Sequence, residues 1–346
     1  MSGTNESGNE ILAKLRGFVV FIAKAAGLGL AMFVAFMVAS AITAADVAAE
    51  TAPQDVNQMM VWLLAVSMLD AVILGFIIHN SRWRGWPLIL GLAVALYGVQ
   101  TVMGQIEALV FLTPLGERWG AGSVPMLVMP FELIASNIIS GAVKAMVGAT
   151  VGVLLFGKAR RGEFESTDFM PKMEWQQWAL KIGAAVLLYE LLYFGFGYYV
   201  AWKSPALLDF YQGSDPGSFL AQMRNVIGTT PTLIPFQALR SLLWIAFSLP
   251  IIRMLRHKPW LGASATGLML GLLAFSHTLV PNPYMPTEVR IVHFIETVSS
   301  TFIFGVALYG LFHRRHQSPA GLLKADAGDS EASRSRHSGY MGTEAR

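Results

Sequence analysis

QMMVWLLAVSMLDAVILGFIIHN (58–80), SRWRG (81–85) and WPLILGLAVALYGVQTVMGQIEALVF (86–111) follow one another without a break. Each outer segment exceeds twenty residues, and a helix rising about 1.5 Å per residue needs about that many to cross roughly 30 Å of hydrocarbon. Between them lie Arg82 and Arg84 with an interfacial Trp86, the pattern of a turn at a cytoplasmic membrane face. The stretch therefore reads as a transmembrane helical hairpin.

The rest of the chain repeats this pattern. Apolar residues make up 54% of the sequence and charged ones 14%, and the apolar residues come in runs. Spans are expected at about 17–43, 58–80, 86–111, 130–157, 176–202, 233–253, 260–280 and 288–312. The fold class is all-α, a polytopic protein of about eight transmembrane helices whose first partner is the lipid bilayer. Every second connection is basic, with Arg82 and Arg84, Lys158, Arg160 and Arg161, Arg253, Arg256 and Lys258, then Arg314 and Arg315. The opposite loops carry few cations, so both termini are expected in the cytoplasm, and the protein reads as one of a bacterial inner membrane. Cations spread in short inter-span clusters do not make a nucleic-acid surface. With no cysteine, any chemistry must come from His, carboxylates, amides and hydroxyls.

At the N-terminus, Lys14, Arg16 and Lys24 lead into an apolar run ending near Ala39-Ser40-Ala41, which resembles a signal cleavage site. The run is longer than the roughly 7–15 residues of a signal peptide and is read as a span. Residues 317–346 lack apolar periodicity and read as a disordered cytoplasmic tail. In the loop 203–232, Phe219, Met223 and Ile227 recur every fourth residue, as in a short helix at the membrane surface.

Two echoes suggest a tandem repeat of two four-helix units, 1–162 and 163–316. IIHNSRWRGW (77–86) matches IIRMLRHKPW (251–260), and GVLLFG (152–157) matches GVALYG (305–310). Convergence is the alternative, because every inward turn attracts Arg and Trp. With four spans each, both units would sit the same way up, and such parallel repeats recur in transporters.

A charge at mid-bilayer costs roughly 2.5–3.5 kcal/mol on insertion scales, so ionisable groups within the spans should face protein and find partners. His293, Glu296, Ser300 and Phe304 share one face of the last span. A His and a Glu at that spacing can hold a metal or simply satisfy each other by a hydrogen bond. His277 and His293 flank the Pro281–Pro286 turn at similar depth, so His277, His293 and Glu296 form a candidate metal set; haem would lack an attachment motif. Gln100, Gly104 and Glu107 share a face of span three, with Glu132 nearby in sequence depth, and Arg240 in span six is the natural counter-ion, Arg290 a second one. Asp70 and Glu190 lie deeper and are candidates for a proton relay from Glu107 or Glu296, with Lys144 as a partner for one of them.

The remaining features read as packing. Gly148 and Gly152, and Gly267 and Gly271, are small-xxx-small pairs. Tyr198, Tyr199 and Trp202 read as an aromatic belt, and Pro130, Pro281 and Pro286 as helix punctuation or supports for broken helices around a cavity. No motif names a cofactor. Three functions follow: an ion- or proton-coupled transporter or permease of a small solute with a polar site in the outer part of the bilayer, a membrane-embedded enzyme with or without a metal, or a structural subunit of a membrane complex.

Overall fold

In the computed structural model, which describes residues 3–43, 55–120, 128–160, 173–211, 213–215 and 217–314, the chain is helical throughout its long apolar segments. Inside hydrocarbon no water can satisfy a backbone amide or carbonyl, and an α-helix satisfies its own. The helices are α1 Gly3–Thr43, α2 Val56–Asn80, α3 Gly85–Phe111, α4 Phe131–Leu155, α5 Trp175–Tyr199, the short α6 Pro205–Phe210 and α7 Phe219–Thr229, then α8 Leu233–Met254, α9 Pro259–Leu279 and α10 Thr287–Phe312. Among the described residues, eight helices are long and apolar enough to cross a membrane, so this is a multi-pass membrane protein. Their ends fall within a few residues of the expected ones, except that α1 begins earlier. The expected tail lies outside the described residues.

Pro130 and Pro286 occupy the N-cap positions of α4 and α10, where a missing amide hydrogen costs nothing. These two prolines are punctuation. Two helices are internally irregular: α3 passes through a π-helical segment at Tyr97–Val102, and α9 through one at Met269–Leu273 before ending in a 3-10 turn, Ser276–Leu279. Such wider turns recur at functional sites.

Packing follows small residues. Gly148 and Gly152 of α4 face Met32, Leu28 and Ile78, and Gly267 and Gly271 of α9 face Phe302, Val306 and the carbonyl of Val298 on α10. A Cβ at Gly305 would stand 2.7 Å from the Thr266 carbonyl oxygen, so only glycine fits there. Within the first four spans α1 packs on α2 and α4, α4 on α3, and α2 on α4; within the last four α5 packs on α8 and α10, α10 on α9, and α8 on α10. Those four pairings occur in each set, and the last four spans add a fifth, α8 on α9. The sets meet where α3 crosses α8 and α2 crosses α9.

At the end bearing the basic turns the sets are tied directly. The Arg82 amide donates to the Met254 carbonyl at 3.1 Å and the Lys258 ammonium to Asn80 Oδ1 at 3.0 Å. Lys158 Nζ donates to the Ser81 carbonyl at 2.7 Å, and the Tyr309 hydroxyl donates to that of Leu255 at 3.1 Å. Ser81 and Leu255 hold corresponding places in the two echoed stretches. Gly85, at φ +60°, turns the chain into α3 in a conformation that disfavours other residues. Ala39 of the cleavage-like pattern is buried, and Ser40 donates to the Ser140 hydroxyl at 3.1 Å, so that segment is part of the packed bundle.

Candidate functional site

Four charged or titratable side chains meet at the end of the bundle away from the basic turns. Glu107 lies near the end of α3, Arg240 two turns into α8, and His293 and Glu296 two to three turns into α10. At about 1.5 Å per residue, these places lie roughly 6–14 Å from the helix ends. The Arg240 guanidinium donates through Nη2 to Glu107 Oε1 and through Nη1 to Gln237 Oε1 at 2.8 Å. Arg240 is 1% exposed and Phe236 stacks at 5.8 Å from its guanidinium carbon, so its charge is neutralised inside the protein. Glu107 keeps 28% of its side chain exposed.

On α10, His293 Nδ1 lies 3.1 Å from Glu296 Oε2, the i, i+3 contact that the spacing implied. Its other nitrogen, Nε2, lies 3.0 Å from the hydroxyl of Tyr211, at the end of α6. A neutral imidazole bearing its hydrogen on Nδ1 would donate to Glu296 and accept from Tyr211. Burial first, then the charges of Glu296 and Glu107, push the Tyr211 phenol above the ordinary tyrosine range, which keeps it a donor.

The two groups border one cavity of about 840 Å³, lined by Glu107, Glu296, His293 and Thr278, by aromatic side chains including Tyr193, Phe194, Trp202 and Tyr211, and by Gln222 and Asn225 of α7. A smaller recess of about 20 Å³ extends it between Glu107, Arg240, Glu296, Ser300 and Thr301. A volume of this size suits a drug-sized solute.

Helices α6 and α7 close one side. Ser218 caps α7 by accepting from the Ala221 amide at 3.2 Å, and Phe219 stacks on Tyr199. The Tyr198 hydroxyl donates to the Gly217 carbonyl at 3.0 Å, and Lys203 pairs with Asp215 at 3.3 Å. Tyr198 and Trp202 thus line the cavity and fasten its cover, where an aromatic belt was expected; of that trio only Tyr199 is exposed. The inward face of α7 is Gln222 and Val226, and Ile227 points outward at 59% exposure, a rotation from the expected Phe219–Met223–Ile227 stripe.

The other expected site residues lie elsewhere. Asp70 is fully buried at a junction of four helices: it accepts from Lys144 Nζ at 2.8 Å, Gln100 Nε2 at 2.8 Å and the Ser276 hydroxyl at 2.9 Å. Gln100 also accepts from Lys144 and donates to the Leu273 carbonyl, so every member is paired. Gln100 therefore serves this junction, while Glu107 serves α8 and the cavity; the π-helical segment of α3 separates two side chains expected to work from one face. Gly104, between them, faces His277, which is exposed and absent from the cavity lining. Among the described residues no three His, Asp or Glu side chains gather as metal ligands, so the set His277, His293 and Glu296 is not assembled. Arg290 braces the α9–α10 turn, donating to the Leu279 carbonyl and the Thr287 hydroxyl at 2.9 Å each, in place of a counter-ion role. Glu132 is exposed and away from the cavity. Both carboxylate oxygens of Glu190 are buried without a hydrogen-bond partner. No hydrogen bond thus carries the expected relay from the cavity acids to Glu190 or Asp70.

Tyr211, Trp202, Gln222 and Asn225 were not anticipated. All come from the loop 203–232 or its edge, and the only signal was the four-residue period of the loop helix. Compared with known proteins, the chain matches no family model, no curated protein and no solved structure.

Proposed function

We propose that the protein is a transporter or permease of a small solute, proton-coupled through the His293–Glu296 pair, with its solute site in the cavity beneath α6 and α7. The observation that carries this reading is the meeting of Glu107 and Arg240, from opposite four-span sets, with His293 and Glu296 at one solute-sized space. A purely structural layer of polar groups would pair and close without enclosing such a volume. By the positive-inside rule, the basic turns support an orientation with that cavity toward the outside of the membrane and both termini inside.

Shared helix pairings, a π-helical segment in the third helix of each set, and matched carbonyls at Ser81 and Leu255 support an origin by duplication, as parallel units 1–162 and 163–316. The joint between the sets is fastened by the Asp70 junction, the Glu107–Arg240 pair and the Arg82–Met254 bond. Solute access on this reading comes from movement of the α6–α7 cover. Proteoliposomes containing an entrapped pH dye should show solute-driven proton movement, lost in Glu296→Gln; wild-type flux in that variant would remove Glu296 from the mechanism.

The Tyr211–His293–Glu296 chain favours a second reading, an enzyme using His293 as general base oriented by Glu296. Chemical identity of the solute after flux separates the two. A transporter returns it unchanged.

A further inference from the structure

We propose that the cavity takes an organic monocation with an aromatic or alkyl body, exchanged for a proton on His293. The inference rests on the transport reading above and adds the class of solute and the direction of coupling.

The charge of the lining carries it. Among the cavity's described lining residues Glu107 and Glu296 are acidic and none is Lys or Arg. The stretches 44–54 and 121–127, outside the described residues, contain no Lys or Arg in sequence. Arg240 stands behind Glu107, 1% exposed, and its charge is spent on that carboxylate. Glu296 has His293 as its hydrogen-bond partner through Oε2, and Oε1 is turned toward α5, 3.7 Å from where a Cβ would stand on Gly197. With a neutral imidazole, the group of Glu107, Arg240 and Glu296 carries one net negative charge. An anionic solute would meet that charge at close range, where repulsion is strongest.

The walls fit the same ligand. Tyr193, Phe194, Trp202, Phe210, Tyr211 and Phe275 present aromatic surface, whose ring faces attract a cation, while their bulk accepts an apolar body. Gln222 and Asn225 give the cover side uncharged hydrogen-bonding groups.

One net negative charge can be balanced by the organic cation or by a proton on His293. Holding both would leave the site positive, so the two occupancies exclude each other and exchange one charge for one. The groups facing His293 are consistent with that count: Tyr211 beyond α6, Tyr193 of α5, Glu107 of α3 with Arg240 of α8 behind it, and Glu296 of its own helix; α9 contributes only Phe275 and Thr278. When the cation leaves, the imidazole takes a proton from water. When the cation returns, that proton is released.

The test uses full-length protein in lipid nanodiscs and three probes: (2-phenylethyl)trimethylammonium, its neutral carbon isostere (3,3-dimethylbutyl)benzene, and 4-phenylbutyrate. At pH 8 the cation should bind about tenfold or more tighter than the isostere, with the anion weaker still. On lowering the pH from about 8 to about 5, cation affinity should fall about fivefold or more while that of the isostere holds. Glu296→Gln should bring cation and isostere within about threefold of each other. If that variant does not fold, the wild-type pH series decides alone. An isostere that binds as tightly as the cation, or a cation affinity indifferent to pH, overturns the proposal and leaves the transport reading standing. Saturable binding of none of the three removes both.

Discussion

Glu107 and Arg240, 133 residues apart, form an ion pair between the third helix of the first set and the second helix of the other, with the arginine sealed and the glutamate open to the cavity. The asymmetry of exposure makes the two partners unequal. Removing the glutamate leaves a guanidinium that water cannot reach, whereas removing the arginine leaves a carboxylate that the cavity can hydrate. Glu107→Leu should therefore destabilise by about 3–5 kcal/mol and Arg240→Leu by less, with the double variant recovering much of the loss. Unfolding midpoints of the three variants in one detergent check this, and equal losses in the two single variants would contradict it.

The Asp70 junction is expected to behave as structure. Its carboxylate has an ammonium and two further donors, lines neither the cavity nor its recess, and ties α2, α3, α4 and α9 together. Asp70→Leu should cost about 3–5 kcal/mol, because Lys144 is left charged and buried, while Asp70→Leu with Lys144→Met should be far milder. Solute binding by any folded variant should match the wild type. A folded Asp70 variant that binds normally but moves no protons would show a relay that the hydrogen bonds do not trace.

How far these pairs were legible in sequence follows from the cost of charge in hydrocarbon. That cost requires partners for Arg240 and Lys144, and depth along each helix narrows the choice to the outer-layer carboxylates, Glu107 among them, for Arg240 and to Asp70 or Glu190 for Lys144. The same logic could not reach Tyr211 or Trp202, since neither is charged; the loop that carries Tyr211 has no depth rule, and Trp202 at the end of its span reads equally well as a belt residue. Nor could it place Gln100 and His277: π-helical segments reset the phase of α3 and of α9, and periodicity read at 3.6 residues per turn runs straight through both. The eight spans were plain because length and hydropathy alone define them.

Tyr211 gives a pH signature. Its phenol is held above the ordinary range chiefly by burial, so the folded state keeps a proton that the unfolded chain begins to lose near pH 10. The stability it supplies is complete below that pH and declines as pH rises above it. Tyr211→Phe, which also loses the hydrogen bond to His293, should cost about 0.5–1.5 kcal/mol at neutral pH. The gap between variant and wild-type melting temperatures should narrow above about pH 10. A gap constant from pH 7 to pH 11 would mean that Tyr211 ionises like an exposed tyrosine.

Topology can be read from single cysteines, because the chain has none of its own. Ser214→Cys, exposed on the cover side, should react in intact cells with a membrane-impermeant maleimide, and Arg160→Cys only after the membrane is opened. The reverse pattern would put the cavity on the cytoplasmic side and invert the proposed coupling.

Among the described residues, Glu190 is the acid whose two carboxylate oxygens are both buried without a hydrogen bond. Its neighbours Leu187 and Leu191 are 67% and 69% exposed on the outer flank of α5. A carboxyl group so placed costs stability whether it is ionised, through lost hydration, or neutral, through an unused donor and acceptors. Glu190→Leu should remove that cost and match its surroundings, raising stability by about 1–3 kcal/mol, with Glu190→Gln gaining less because its amide is equally unpaired. Neither change touches the cavity lining, so solute binding should be unaltered. The measurement is the unfolding midpoint beside the binding isotherm of each variant. A loss of stability in Glu190→Leu would mean that the carboxylate does have a partner in the membrane, and would point to a contact on the outer flank of α5.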